Sequence, residues 1–512
     1  MTIARISAFL GILASLLSAA AVRAQPQDPA VARFDAYAQR TTHQWGVPGV
    51  AIALVRDGKL VAVRDYGVKT LGAPGAVDAS TIFAIASVTK SFTAAAIAML
   101  VDEHKLSWDD HVVQYLPELR LYSPEVTSEL TIRDLLAQRT CLESTNLLTW
   151  NTPFDRRELI HRMRFLPPAC PFRDRFVYNN LHYVLAGEIV SVVTGQSWDD
   201  FVQHRIFDPL GMTSSTTHPA AVAHSDHLAT PYLKTGGHFM ALPLFDEGAS
   251  APAGSIHSTA TDMARWLLVQ LGEGEVDGRR LWSFSASREM HAPQMVVARD
   301  SEYVMLLPDA DFRSYGLGWF VYSYQGHTVV EHSGQSDGMQ ALVSMMPDHR
   351  LGIVVLTNTS LLGLATALTY RWYDDNLGRP PRDWTTQLLT TLAPINDALD
   401  VDSVLARLPH VSGTHPSLAL DRYVGTYGDS LFGPAVVKRD SSGSLVLSLL
   451  GRTAPLTHWH FDTFHPEWRD LYLSLAQPLV TFDLDEAGAV RDLRLTTGET
   501  FTRSTGLEPP PR

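Results

Sequence analysis

The chain is poor in cysteine: Cys141 and Cys170 are the only two in 512 residues. That excludes a fold stapled by a disulfide framework and a metal cluster held by many thiolates. Neither cysteine stands in the arrangement with histidine that a thiol nucleophile needs. In an exported protein the two can pair across a segment that loops back on itself; two separate buried thiols fit the sequence equally well. A basic stripe is also missing, and the formal net charge is −13. Such acidity argues against nucleic acid or an anionic membrane surface as partner. There is no glycine-rich phosphate loop, no internal repeat and no low-complexity tract. Beyond the amino terminus no apolar run is long enough to cross a bilayer.

The amino terminus is the exception. Arg5 precedes an apolar run from Ile6 to Val22, and Val22-Arg-Ala24 stands before Gln25. This pattern predicts a secretory signal peptide over residues 1–24, cleaved after Ala24, and hence a periplasmic or secreted protein. The competing reading is an uncleaved anchor, for which the run is short. The leader holds Arg5 and Arg23 and no acid, so its removal leaves a more acidic chain. The hydrophobic share of 45% and charged share of 19% describe a globular protein. Its length exceeds what one core organises and implies two domains.

Taken in order, Val31 to Trp45 reads as a helix. Val50 to Val55 and Leu60 to Arg64, joined at Asp57-Gly58, read as a hairpin. Thr131-Ile-Arg-Asp134 is a capping box that opens a helix. Asn180 to Thr194 has helical spacing and stops at Gly195. Ser197 to Phe207 reads as another helix, and Ser258-Thr-Ala-Thr-Asp262 caps one that runs to about Leu271. From Gly316 the period changes, and Leu317–Tyr324, Thr328–His332, Gln340–Met346 and Leu351–Asn358 read as consecutive strands. The expectation is an α+β domain over 25–378, an antiparallel sheet flanked by helices with a helical cluster. Residues 379–417 weaken into a Pro-punctuated helix and linker. Residues 418–506 alternate in short runs with recurrent turn signals, which predicts a small all-β barrel.

The chain is organised around Phe83-Ala-Ile-Ala-Ser87-Val-Thr-Lys90. Ser87 and Lys90 are three apart at the start of an Ala-rich helix and so share one face. A serine hydroxyl needs an adjacent base, and a desolvated lysine can be that base. The helix start adds free N–H groups and the positive end of the dipole. By itself the pair reads more simply as a helix cap and a surface lysine. Two further pieces follow. Phe176-Val-Tyr178-Asn179-Asn180 offers a phenol to relay a proton and an amide to bind a carbonyl. Val329-Val-Glu-His332-Ser333-Gly334 lies on a predicted strand, where the N–H of Gln335 could complete an oxyanion hole with that of Ser87.

Ser87-x-x-Lys90, Tyr178-x-Asn180 and His332-Ser333-Gly334, in that order, resemble the serine β-lactamase and penicillin-binding-protein superfamily. The match is to its class C-like branch of esterases, D-aminopeptidases and DD-peptidases. Leu130-Thr-Ile-Arg-Asp-Leu-Leu136, Phe207-Asp-Pro-Leu-Gly-Met212 and Pro252-Ala-Gly-Ser-Ile-His-Ser-Thr259 look like the same branch. The resemblance covers roughly residues 30 to 375. The tail, notably Leu456-Thr-His-Trp-His-Phe-Asp-Thr-Phe464, is similar to the lipocalin-like domain appended to such hydrolases.

The resemblance implies Ser87 as the acylated nucleophile, with Lys90 and Tyr178 as acid/base partners. Asn180, His332, Ser333, Gly334 and Gln335 would face the substrate, a small molecule or short peptide. No metal or cofactor is called for, and nothing bears on oligomeric state. The chain departs from the branch at Gln138 and Cys141, where His and Gly are usual, and at Asn179. His332 stands where many relatives have Lys, so a fixed charge for a β-lactam carboxylate is lost and ester or peptide substrates are favoured. The rival functions are a true β-lactamase and a catalytically silent peptidoglycan- or peptide-binding protein on the same scaffold.

Three other motifs compete. Gly334-Gln-Ser336-Asp-Gly338 spells a nucleophile elbow, which needs a strand before it and a helix after it. Here another strand follows, so Ser336 is expected in a turn. Lys234-Thr-Gly236 spells a lysine strand triplet but reads as a loop. His458, His460, Asp462 and His465 invite a metal reading, which a barrel wall explains as well.

Overall fold

The computed structural model describes residues 28–504 apart from 151, 300–304 and 399. The expected leader lies outside the described residues. An antiparallel sheet of eight strands forms the spine of the first domain. In chain order they are β1 (Gly49–Arg56), β2 (Lys59–Gly67), β3 (Met295–Val296), β4 (Ala310–Tyr315), β5 (Phe320–Tyr324), β6 (His327–Ser336), β7 (Met339–Met346) and β8 (Leu351–Thr357). Their order across the sheet is β2-β1-β8-β7-β6-β5-β4-β3. The amino-terminal hairpin therefore docks on the last strand, with Val50 opposite Thr357 and Val55 opposite Gly352. The expected hairpin and meander are present. Strand β6, however, runs on past His332 to Ser336, because Gly334 and Gln335 keep their register with Ala341 and Gln340.

Side-chain alternation divides the sheet into two faces. Val50, Ile52, Leu54, Ile353 and Val355 pack in a cluster with α1 (Pro29–Trp45) and with Leu364–Asn376. Ala51, Ala53, Val55, Val354 and Leu356 belong to the larger cluster that holds the helices. At its centre is α2 (Thr89–Asp102), buried from Thr89 through Leu100. A helix apolar all round is a core helix. Its Phe92 stacks on Trp266 of α4 (Ala260–Leu271) at 3.8 Å between centroids. Beside it runs α3 (Asn180–Thr194), ended by Gly195 in the left-handed conformation. The Thr131–Asp134 capping box forms as expected. The stretch 197–207 is a short helix, Trp198–Val202, followed by a wider turn over Gln203–Phe207.

Residues 379–417 contain two helices, Trp384–Ala398 and Val401–Arg407. Trp384, Leu388 and Leu392 join the cluster under the sheet, so apolar spacing in this stretch serves the hydrolase core. Beyond it eight strands from Gly425–Asp429 to Thr500–Arg503 close into a barrel. Tyr427, Phe464, Phe482 and Phe501 are buried within the barrel's core. The barrel grips the first domain. Tyr472 meets Trp150 edge-on at 4.9 Å, Arg452 donates to the Trp150 carbonyl, and Arg162 donates to the carbonyls of Ser430 and Leu431. Among the described residues no helix is long and apolar enough to cross a membrane.

Cys141 and Cys170 form a disulfide. It closes a loop 29 residues apart in sequence, a length for which loop entropy gives roughly 3–4 kcal/mol. Cys170→Ser is expected to lower unfolding free energy by about that amount, within a range of ~2–4 kcal/mol. Urea denaturation of oxidised wild type and variant reads the difference; equal midpoints would show that the bond carries no stability.

Candidate active site

The sequence before α2 does not run smoothly into the helix. Ala86 sits at φ 45°, in the left-handed region that a non-glycine residue enters at a cost of about 1–3 kcal/mol. Ile85 is pinned on both sides of that kink: its N–H donates to the Ile256 carbonyl, and its own carbonyl accepts from Val88 N–H. Phe83 and Ala84 pair with Ser258 and His257. The result is a tight helical turn over Ala86–Val88 that leads into α2 and leaves Ser87 partly exposed among buried neighbours.

Lys90 is fully buried. Its Nζ lies 2.9 Å from Ser87 Oγ and donates to the Ala253 carbonyl at 2.8 Å. On the same helix face Thr93 donates to the Pro252 carbonyl at 2.7 Å. The stretch 252–259 is thus the wall against which the lysine is seated. The ring of Tyr178 lies 4.8 Å from Nζ and that of Tyr183 lies 5.6 Å away. Burial pushes the Lys90 amine well below the ordinary lysine range, because an ammonium loses its hydration there. An amine so depressed is available as a base near neutral pH.

Strand β6 closes the site from the other side. His332 and Gly334 share its face with Val330, which belongs to the helix-side cluster. A Cβ at Gly334 would collide with the Ile85 carbonyl and come within 2.9 Å of Ser87 N. Glycine is required there by close approach, and the approach sets the next N–H, that of Gln335, beside the serine turn. Ser333 and Gln335 direct their side chains to the opposite face, where they line a cavity of about 200 Å³ with Arg313, Glu331 and Gln340. What they can offer Ser87 is backbone.

His332 is buried, with Nδ1 2.6 Å from the Ser333 carbonyl and Nε2 3.0 Å from the Tyr315 hydroxyl. A carbonyl only accepts, so the proton sits on Nδ1 and Tyr315 donates to Nε2. Burial, with Lys90 nearby, pushes its pKa down to about 3, so the ring is neutral.

Asn180 donates to Asn146 Oδ1 at 3.2 Å. Asn179 caps α3 by accepting from Leu181 N–H, and its own N–H donates to Gln138 Oε1 at 2.9 Å. The same Gln138 oxygen accepts from His182. The unusual Gln138 therefore fastens the start of α3, with φ 57°, and Cys141 sits at φ 59° with its sulfur in the disulfide.

The structure thus sets Ser87, Lys90, the Tyr178 ring and His332 together, with Gly334 against the serine turn, while Asn180 stands at the start of α3 bonded to Asn146. It also brings in Asn146, Tyr315 and the buried Glu247, which carry no motif, and the Ala253 carbonyl from the 252–259 stretch. Ser336 pairs with Met339 in the turn between β6 and β7, with no helix after it, which removes the nucleophile-elbow reading. Lys234-Thr-Gly236 is a correction. It is not a loop: Tyr232–Thr235 pairs with His238–Ala241 about a Gly236-Gly237 turn, and Lys234 is exposed. In the barrel, Asp462 accepts from Tyr423 and from Ser417 N–H, while His458 and His465 bond to the carbonyls of Phe461 and Pro478.

A serine, a buried amine and a phenol at the head of a core helix beside an antiparallel sheet define a serine hydrolase of the β-lactamase type. Residues 34–372 match the Beta-lactamase family, and the chain belongs to it. Residues 409–507 match a domain of unknown function, DUF3471. Penicillin-binding protein 4 of Amycolatopsis lactamdurans is 30% identical over 68% of this chain and 88% of its own length. An unguisins hydrolase of Aspergillus violaceofuscus is 29% identical over 78% of this chain and 75% of its own. Among solved structures, the octameric penicillin-binding protein homologue from Pyrococcus abyssi superposes with a TM-score of 0.62 at 21% identity, covering 92% of this chain and all of the other. A class C β-lactamase does so at 0.57 and 18%, covering 69% and 98%.

Gly334→Ala forces β6 away from the serine turn. The variant is expected to lose about 1–3 kcal/mol of stability. It is also expected to react with a serine-directed fluorophosphonate at least about tenfold more slowly, as a misplaced oxyanion donor does. Thermal melting and labelling kinetics check both.

Proposed function

We propose that the protein is an exported serine hydrolase that cleaves an ester or amide bond, in a D-peptide-like or carboxylic ester substrate, through an acyl-enzyme on Ser87. The observation that carries this reading is the buried Lys90 amine 2.9 Å from Ser87 Oγ. Its donation to the Ala253 carbonyl holds the nitrogen in place beside the serine. As Oγ attacks the substrate carbonyl, the hydroxyl proton passes to Nζ and the carbonyl electrons move onto oxygen. The N–H groups of Ser87 and Gln335 receive that oxyanion. Collapse expels the alcohol or amine, which takes up a proton from Lys90 by way of Tyr178, and water then releases the acid by the reverse sequence. Asn180 holds the acyl-side carbonyl.

The substrate preference rests on His332. A neutral ring occupied by Tyr315 and Ser333 offers no fixed positive charge to a β-lactam carboxylate. Ester and peptide substrates without that carboxylate are favoured on the same ground. The names of the relatives, a hydrolase of unguisins and a penicillin-binding protein, support acyl transfer in this branch.

Two outcomes are expected. Wild type exposed to a fluorophosphonate gains one adduct, mapped by mass spectrometry to Ser87, and Ser87→Ala gains none and loses turnover while keeping its melting temperature. Labelling of Ser336 instead would overturn the assignment, and no adduct at all would favour the silent binding protein. The rate also falls as pH drops, because the base must be the neutral amine. His332 is neutral down to about 3 and contributes nothing to that acidic limb.

The barrel is proposed to shape the mouth of the pocket. Tyr472 packs edge-on against Trp150, which in turn meets Phe245 at 5.5 Å. Tyr472→Ala is expected to change the kcat/KM ratio between a bulky and a small acyl substrate by about tenfold. The same variant is expected to keep the wild-type rate of fluorophosphonate labelling; an unchanged ratio would sink the idea.

A further inference from the structure

Glu247 carries no motif, yet it lies buried in the loop that turns into the wall of the site. It precedes the short turn Gly248–Ser250, whose Ser250 N–H donates to the Glu247 carbonyl and whose hydroxyl donates to the Thr149 carbonyl. The chain then continues as Ala251–Gly254, the stretch that gives its carbonyls to Lys90 and Thr93. The Glu247 carboxyl is pressed against Gly254, where a Cβ would strike its Oε1. Its other oxygen, Oε2, is buried without a hydrogen-bond partner. A carboxylate in such a place is costly unless an opposite charge answers it. The Ala253-Gly254 backbone has Lys90 Nζ on the Ala253 carbonyl and the Glu247 carboxyl on the neighbouring Gly254.

We propose that Glu247 is a positioning residue of the acylation step. It acts through Lys90, as the counter-charge for the ammonium that forms when the amine takes the Ser87 proton. This rests on the reading of Lys90 as the base. The step balances without any further reactant. The Oγ–H bond breaks and an Nζ–H bond forms. The new positive charge appears on a buried nitrogen, with the Glu247 carboxyl across the Ala253-Gly254 backbone from it. Preorganised charge of this kind stabilises the transition state more than the resting state.

The other groups around Lys90 do not fill this role. Tyr178 and Tyr183 present rings to it. His332 on β6 and His182 on α3 are pushed down to about 3 by burial and are neutral. Around Glu247 stand Asp246 and Asp337, both acids. They raise its affinity for a proton, as burial does, while Lys90 lowers it. Glu247 in turn holds the Lys90 ammonium against the effect of burial.

The test is the pH dependence of fluorophosphonate labelling at Ser87, together with kcat and KM on an ester substrate. Glu247→Gln keeps the shape and removes the charge. Without the carboxylate the ammonium is less stable, so the acidic limb moves to lower pH, by about one unit. The variant's kcat falls about 10- to 100-fold with KM little changed, as expected for an interaction made in the transition state. Glu247→Asp keeps the charge at a longer reach, so its limb lies between the two and part of kcat returns. Should Glu247→Gln fail to fold, the Asp variant decides: a displaced limb supports the proposal and a wild-type limb overturns it. A limb at the wild-type pH in both variants, whatever the loss of rate, would reduce Glu247 to packing. Wild type without any Ser87 adduct would instead overturn the assignment of the nucleophile.

Discussion

The hydrolase half depends on keeping one amine out of water. Lysine is among the residues least often buried, and here it is seated at the head of a helix with no wet face. The helix is held by Phe92 against Trp266 and by two side chains hydrogen-bonded to one short wall. These contacts fix the nitrogen on its serine neighbour. They also remove the hydration that would keep it charged, so stability and reactivity come from the same packing.

Much of this arrangement was legible in the chain. Ser87, Lys90, Tyr178 and the His332 strand were found because their chemistry sits at short spacings: three on a helix, two across a helix start, two on a strand. Each spacing is local and each local structure formed. The hairpin, the capping box and the change of period at Gly316 were legible for the same reason. What escaped notice is what the chain brings together from far apart. The Glu247 carboxyl lies against Gly254, next to the carbonyl that holds Lys90, only because the following turn folds the chain back. Asn146 and Tyr315 are ordinary residues until Asn180 and His332 arrive beside them. Lys234 misled in the opposite sense: two glycines looked like a loop and were the turn of a hairpin.

The two faces of β6 show how one strand serves two ends. Its even positions, His332 and Gly334, meet the serine turn. Its odd positions, Glu331, Ser333 and Gln335, belong to the other side of the sheet, where Glu331 accepts from Tyr322 and Ser344. A slip of one residue would exchange these sets and place a buried acid beside Lys90. The register with β7 is what prevents it, and that strand is buried along its whole length.

The pairing of β1 with β8 has a consequence for synthesis. Strand β1 is among the first elements made, and Val50 to Val55 is an uninterrupted apolar run. One of its neighbours, β2, follows at once, but the other is not available until Leu351–Thr357 has left the ribosome. Through that interval the nascent hairpin presents an unpaired, apolar edge, the kind that recruits strands from other chains. The fold therefore places its largest burden on whatever shields the chain while it is still incomplete.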